Sequence, residues 1–210
     1  MAAFAAGLFK KALLKKRGPL LAAVSGGRTP ERLFNKLASL KLPWEQAVFF
    51  MADERLVPLS SPHSNFGAAR KALFSRIAIP KANLRPVGRN RGAAAAYENE
   101  LVKAAGPAGG LDLVFLGLGA DGHTASIFPG SPAPAAGRLV SLAKAPPGVK
   151  PARRATLTLR ALNAADTLVL MAAGPDKREM FGRAARGDKR IPAGQLSPRG
   201  KLYLLYSEKI

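Results

Sequence analysis

Continuous apolar runs recur along the chain at 20–25 (LLAAVS), 47–52 (AVFFMA), 111–118 (LDLVFLGL), 155–159 (ATLTL), 167–173 (TLVLMAA) and 202–206 (LYLLY). Between them lie segments of helical character at 30–40, opening with Thr29-Pro30, and at 66–76, 91–105 and 175–186. A strand with one face in water alternates apolar and polar side chains, and most of these runs do not, so both of their faces must be covered. Such strands alternating with helices predict an α/β fold: a Rossmann-like, doubly wound, mostly parallel sheet with helices on both faces. At 210 residues, 48% of them hydrophobic, the chain is expected to form a single domain over 1–210, with 1–19 as a short N-terminal helix or arm. Residues 128–151, rich in Pro and Gly, read as a long irregular excursion from that domain.

In open α/β sheets, ligands bind beyond the carboxyl ends of the strands. Four polar motifs fall at such ends: SGGRTP (25–30), DER (53–55), GADGHT (119–124) and GPDK (174–177). In the first, Gly26 and Gly27 allow a tight turn and close approach to a ligand, with Thr29 as helix N-cap and Pro30 at the first helical position. Free backbone N–H groups and the helix dipole would seat an anion there, and Arg28 could grip phosphate oxygens in two places. A plain βα turn has the same sequence, so this motif alone does not decide. In DER, Arg55 would serve a phosphate or a developing oxyanion, held by Asp53 and Glu54; an ordinary solvated loop is the other reading. His63, in a loop rich in Pro and Ser, reads as solvated.

The stretch GLGADG (117–122) spells G-x-G-x-x-G. A dinucleotide-binding turn needs a helix running on from the third glycine and an acid about 20 residues later. Pro129 and Gly130 stop any such helix, and 137–148 holds no Asp or Glu. Arg138 or Lys144 could read a 2′-phosphate, but neither replaces the helix. The glycines therefore read as a tight loop exposing Asp121 and His123. Imidazole is the side chain suited to general-base work near neutrality, although a buried structural histidine is compatible with the same residues.

The formal charge is +20, from 33 basic and 13 acidic residues. The basic residues are spread from Lys10 to Lys209 with no interleaved aromatic platform, so no nucleic-acid partner is expected. Steering of a small phosphorylated substrate is the alternative use of such a field. The chain has no cysteine, which removes thiolate nucleophiles and Cys-type zinc sites. Its first 18 residues place the basic side chains after the apolar ones, the reverse of a secretory signal. They read as a surface helix packing Phe4, Leu8 and Leu13 inward, with a transit peptide or a membrane-surface segment as other readings. A cytoplasmic protein without a membrane partner is expected.

Taken together, SGGRTP, DERLVP with HSNFG, DLVFLGLGADGHTASIFPGSP, RRATLTLRALNAADTLVLMAAGPDKREMF and LYLLY resemble the glucosamine-6-phosphate isomerase/6-phosphogluconolactonase family, in family order and over most of the chain from Ser25 onward. The resemblance implies a carboxylic ester hydrolase that converts 6-phospho-D-glucono-1,5-lactone to 6-phospho-D-gluconate in the oxidative pentose phosphate pathway, with no cofactor and no required metal. By position, it implies His123 as the base that activates water and Asp121 as its orienting partner. It further implies Ser25, Gly26, Gly27, Arg28, Thr29, Asp53, Arg55 and Lys177 as the residues gathering the phosphate and the carbonyl oxygen. The family's deaminases carry a glutamate five positions after the motif histidine, where this chain has Phe128, which favours the lactonase side. A non-catalytic sugar-phosphate-binding protein on the same fold is the alternative. The chain departs from the family in a short segment before Ser25, in Gly194 where relatives carry a basic residue, and in its high charge.

Overall fold

The computed structural model describes residues 1–132 and 137–209. Its strands are β1 (Leu20–Val24), β2 (Ala47–Met51), β3 (Asp53–Arg55), β4 (Leu84–Arg85), β5 (Leu113–Gly117), β6 (Val140–Lys144), β7 (Arg153–Leu157), β8 (Thr167–Ala173) and β9 (Lys201–Ser207). Six of them form one sheet in the order β4-β2-β1-β5-β8-β9, and every pairing in it is parallel. From β1 the chain moves outward to β2 and β4, and from β5 it moves the other way to β8 and β9. The order therefore reverses between β1 and β5, which opens a crevice at their carboxyl ends.

The helices are α1 (Ala2–Lys15), α2 (Arg28–Ala38), α3 (Asn65–Ala72), α4 (Ala93–Ala105), α5 (Leu159–Asn163) and α6 (Arg178–Ala185). β2 and β5 carry the core, with Phe49, Phe50 and Phe115 almost wholly buried. Burying such a side chain contributes roughly 1.5–3 kcal/mol. The helix layers meet the strands through aromatic rings. Phe9 of α1 stacks on Phe49 at 5.5 Å, and Tyr97 of α4 lies edge-on to Phe50 at 5.9 Å. Despite the short segment before Ser25, α1 is a full 14 residues. Its inward face is Ala5, Ala6, Phe9 and Leu13; of the residues expected to point inward, Leu8 is half-buried and Phe4 is exposed. Phe4 lies on the opposite side of the helix from Phe9 because the two are 500° apart at 100° per residue.

Three expectations are corrected. The run at 155–159 is not a strand of the parallel sheet. It is β7, placed at 153–157, in a separate antiparallel sheet of order β3-β7-β6. The DER segment is not a loop but the strand β3. Ala52 bridges the sheets, its N–H bonding Val24 of β1 while its carbonyl accepts from Leu157 at the end of β7. The supposed irregular excursion at 128–151 contains β6, and its residues 133–136 lie outside the described residues. β6 is an edge strand of mixed polarity, half in water, so it lacks the continuous apolar signal.

Candidate active site

The loop after β1 turns through Ser25 and Gly26 into Gly27, whose φ of 108° suits glycine. Helix α2 begins at Arg28 with Gly27 as its cap, so Thr29 is not the N-cap expected from sequence and Pro30 is the third helical residue, not the first. Proline tolerates this position because a first-turn N–H has no intrahelical acceptor. The N–H groups of Arg28 and Thr29 are left facing outward at the positive end of the helix dipole. Gly26 is needed for a different reason: a Cβ there would come within 2.0 Å of Asn65 Oδ1.

The loop after β5 carries His123. Its Nδ1 lies 2.5 Å from Asp121 Oδ1, and its backbone N–H donates to the same oxygen at 3.0 Å. A carboxylate can only accept, so Nδ1 carries a proton, and in the neutral imidazole it is Nε2 that bears the free lone pair. Partial burial pushes the Asp121 carboxyl up, but the His123 backbone N–H and the ring outweigh it and hold the carboxyl below its usual value. Several contacts fix the loop itself. Gly119 N–H donates to the His123 carbonyl, Thr124 Oγ1 donates to the Gly117 carbonyl, and Ala193 N–H donates to the Gly122 carbonyl. Gly119 leaves room for the pair, since a Cβ there would stand 2.1 Å from His123 Nδ1. Ala125 holds a left-handed φ of 49°, so this loop also stores backbone strain. No helix opens at the third glycine, residues 122–132 holding none, so the stretch lacks the helix a dinucleotide fingerprint requires.

The antiparallel sheet adds two cations to Arg28 of α2 and Lys177 after β8. Arg55 and Arg154 stand opposite each other in the β3–β7 register, and both line the cavity. Arg55 Nη1 donates to the His63 carbonyl, and Arg154 Nε donates to the Pro151 carbonyl. Burial lowers the pKa of the Arg154 guanidinium and the Arg55 charge lowers it further, while Asp53 and Glu54 oppose both. The arginine stays charged, since its pKa begins so high. Two like charges facing one cavity favour an anion between them.

The acids do not hold Arg55 in the expected way. Glu54, almost wholly buried, accepts from the N–H groups of Arg55, Asn65 and Phe66 and from Ser64 Oγ, and so organises the start of α3. Asp53 accepts from Ser126 Oγ at 2.6 Å, tying the histidine loop to β3. Phe128 packs 4.8 Å from the imidazole, and the Arg154 guanidinium sits over the same phenyl ring, 5.7 Å from its centre.

Ser25, Gly26, Gly27, Arg28, Thr29, Asp53, Arg55, His123 and Lys177 all line one cavity of about 240 Å³, at the strand reversal. Asp121 stands behind His123, outside the lining. Asn65 and Arg154 line the cavity too, and motif reasoning singled out neither. The signal for Asn65 lay in HSNFG beside a strand end; Arg154 gave none, because its strand was assigned to the wrong sheet. Three buried side-chain atoms find no partner among the described residues: Ser25 Oγ, Arg55 Nε and Asn65 Oδ1. All three belong to lining residues, so unspent polar capacity is concentrated in this cavity. His63 contributes only its carbonyl, and its side chain is exposed. Gly194 packs against the backbone of Asp188, where a Cβ would fall 2.1 Å from the carbonyl oxygen, so a basic residue cannot stand there in this conformation. Among the described residues no group of three or more His, Cys, Asp or Glu gathers as a metal site, and no helix is long and apolar enough to cross a membrane.

Fold and site together define a class: a Rossmann-like α/β protein whose cavity at the strand reversal joins an imidazole–carboxylate pair to a cluster of cations. Residues 2–204 match the family described as glucosamine-6-phosphate isomerases/6-phosphogluconolactonase, and the chain belongs to that family. It is 37% identical to a 6-phosphogluconolactonase of Synechocystis, over 93% of this chain and 85% of that protein. A Thermotoga maritima 6-phosphogluconolactonase is 38% identical over 79% of this chain and 74% of its own length. The crystal structure of 6-phosphogluconolactonase from Thermotoga maritima superposes with a TM-score of 0.87 at 32% identity, covering 98% of this chain and 94% of that one. A monomeric glucosamine-6-phosphate deaminase reaches a TM-score of 0.85 at 18% identity, which is a likeness of fold alone.

Proposed function

We propose that this chain hydrolyses 6-phospho-D-glucono-1,5-lactone to 6-phospho-D-gluconate, with His123 as the general base that activates water. The observation that carries this reading is the His123–Asp121 pair, which leaves a basic Nε2 on a cavity shared with Arg55, Arg154 and Lys177. Nε2 takes a proton from water as the oxygen attacks the lactone carbonyl, and Asp121 stabilises the imidazolium that forms. The tetrahedral oxyanion is met by a cation of the cavity. It collapses by expelling the ring oxygen, which recovers the proton from His123. The N–H groups at the start of α2, with the remaining cations, take the phosphoryl group, so binding energy far from the carbonyl aligns the ring for attack. A δ-lactone needs no covalent nucleophile, and the barrier to be lowered is modest. A base supplies about 10²–10⁴-fold, and oxyanion electrostatics supply about 10²–10³-fold more.

Phe128 supports lactone hydrolysis over ring-opening deamination. An aromatic ring packed on the imidazole cannot shuttle a proton to a ring oxygen, as a carboxylate at that position could. The test is hydrolysis of lactone generated in place, with the spontaneous rate subtracted, for the wild type and His123→Ala. The wild type should accelerate hydrolysis and the variant should lose about 10²-fold or more. Full activity in the variant removes His123 as the base. An inactive wild type that still binds 6-phosphogluconate would instead be a sugar-phosphate-binding protein.

A further inference from the structure

The cavity uses only part of the +20 charge, and α1 with the two residues after it carries a concentrated share of the rest. Lys10, Lys11, Lys15, Lys16 and Arg17 all precede Glu31, the first acidic residue of the chain. Lys16 is paired with Asp112, whereas Lys10, Lys11 and Lys15 have no acidic partner among the described residues. The inward face of α1 is fully occupied by Ala5, Ala6, Phe9 and Leu13. At 100° per residue the opposite arc runs Lys10, Ala3, Leu14, Gly7, Lys11, Phe4, Lys15, and each of these is exposed. Phe4 and Leu14 are 52% and 57% exposed, with Lys11 between them and Lys10 and Lys15 at the two edges. Large apolar side chains in water on a helix already packed on its other side need an explanation beyond the core. Helix α2, packed beside α1, carries the exposed cations Arg32 and Lys36 together with the exposed Glu31.

We propose that the outward face of α1 is a docking surface for an anionic lipid bilayer. Phe4 and Leu14 enter the boundary between headgroups and acyl chains, while Lys10, Lys11 and Lys15 lie level with the lipid phosphates on flexible stems. Charge complementarity selects an anionic leaflet. The apolar pair selects lipid over nucleic acid: an aliphatic Leu14 gains nothing from a phosphate backbone. Phe4 lies edge-on to Tyr203 at 5.9 Å, so it is braced by the protein and not set out as a stacking platform. The proposal is independent of the reaction assigned to the cavity.

The test is sedimentation of the full chain with vesicles of equal parts phosphatidylcholine and phosphatidylserine, and with phosphatidylcholine alone. Wild type, Leu14→Ser and the triple variant Lys10→Gln, Lys11→Gln, Lys15→Gln are compared. A thermal melt coincident with wild type shows that each variant is folded, which the exposure of all four positions favours. The wild type should bind the anionic vesicles and not the neutral ones. The triple variant should bind about 10²-fold more weakly, roughly fivefold per lysine. Leu14→Ser should weaken binding about tenfold. Failure of the wild type to bind, or binding unchanged in the triple variant, overturns the proposal. So does undiminished binding by Leu14→Ser with displacement by duplex DNA, which would mark a surface that reads charge alone.

Discussion

In the parallel sheet, β1 and β5 bring to the cavity the loops at their carboxyl ends and, from within a strand, only Gly117, the last residue of β5. In the antiparallel sheet, β3 and β7 bring side chains from within the strands themselves: Asp53, Arg55 and Arg154. The segments after the parallel strands offer backbone N–H groups, one imidazole and the cations Arg28 and Lys177, with turns that need glycine at Gly119 and Gly27. The strands offer charges at a spacing fixed by the register of Arg55 against Arg154. On the proposed reading this is a division of labour in which the histidine loop decides the chemical step, while the small sheet shares with the start of α2 the holding of the anion. Ser126, bonded to Asp53, is the joint between them.

The sharpest way to break the loop side without touching a charge is Gly119→Ala. Its Cβ would overlap His123 Nδ1 and approach Asp121 Oδ1, so the pair must shift. A displacement of about 1 Å costs on the order of 10²-fold in rate. The account expects that loss in kcat with a melting temperature close to wild type; an unchanged kcat would mean that the placement of the pair is not critical.

Ser126→Ala cuts the joint. It removes a hydrogen bond to a buried carboxylate, worth about 2 kcal/mol of stability. It should also lower kcat by less than Gly119→Ala does, because the loop keeps its own internal bonds. Denaturant unfolding and steady-state rates on the same preparation separate the two effects.

The smallest expected effect concerns Glu54, which serves the fold of the small sheet and not the anion. Burial raises its carboxyl above the usual 4.5, against hydrogen bonds from Phe66, Asn65, Arg55 and Ser64. The folded state therefore holds this proton more tightly than the unfolded chain does. The stabilisation from that proton is complete below pH 4.5 and is lost as pH rises through the folded value. Relative to wild type, Glu54→Gln should thus appear most destabilised at the acid end of that window and less so above it. A difference independent of pH would show that the carboxyl is not shifted upward.

Most of the parallel sheet was legible in the sequence because a strand covered on both faces has no room for polar alternation, and β1, β2, β5 and β8 announce themselves this way; β9 shows the apolar run although it is an edge strand with no fully buried residue, and the two-residue β4 gave no signal. The histidine loop was legible because its glycines, Asp121 and His123 lie adjacent in the chain. The antiparallel sheet was not. β3 is three charged residues, β6 is half in water, and β7 carries an apolar run that reads equally well as a parallel strand. What makes them a site is a register between positions about a hundred residues apart, which no local pattern encodes. Arg154 was missed for that reason. The cap at Thr29 failed for a local one: Gly27, at a φ that favours glycine, starts the helix two residues earlier than a Thr29 side-chain cap would.

The division of labour itself is tested most directly by steady-state kinetics on His123→Ala and Arg154→Met side by side, with lactone generated in place. The account predicts that His123→Ala loses about 10²–10⁴-fold in kcat with KM little changed. It predicts that Arg154→Met raises KM about 10- to 10²-fold, the equivalent of a lost charge-assisted bond, and keeps kcat within a few fold. Collapse of the same kinetic parameter in both variants, or retention of kcat by His123→Ala, would contradict it.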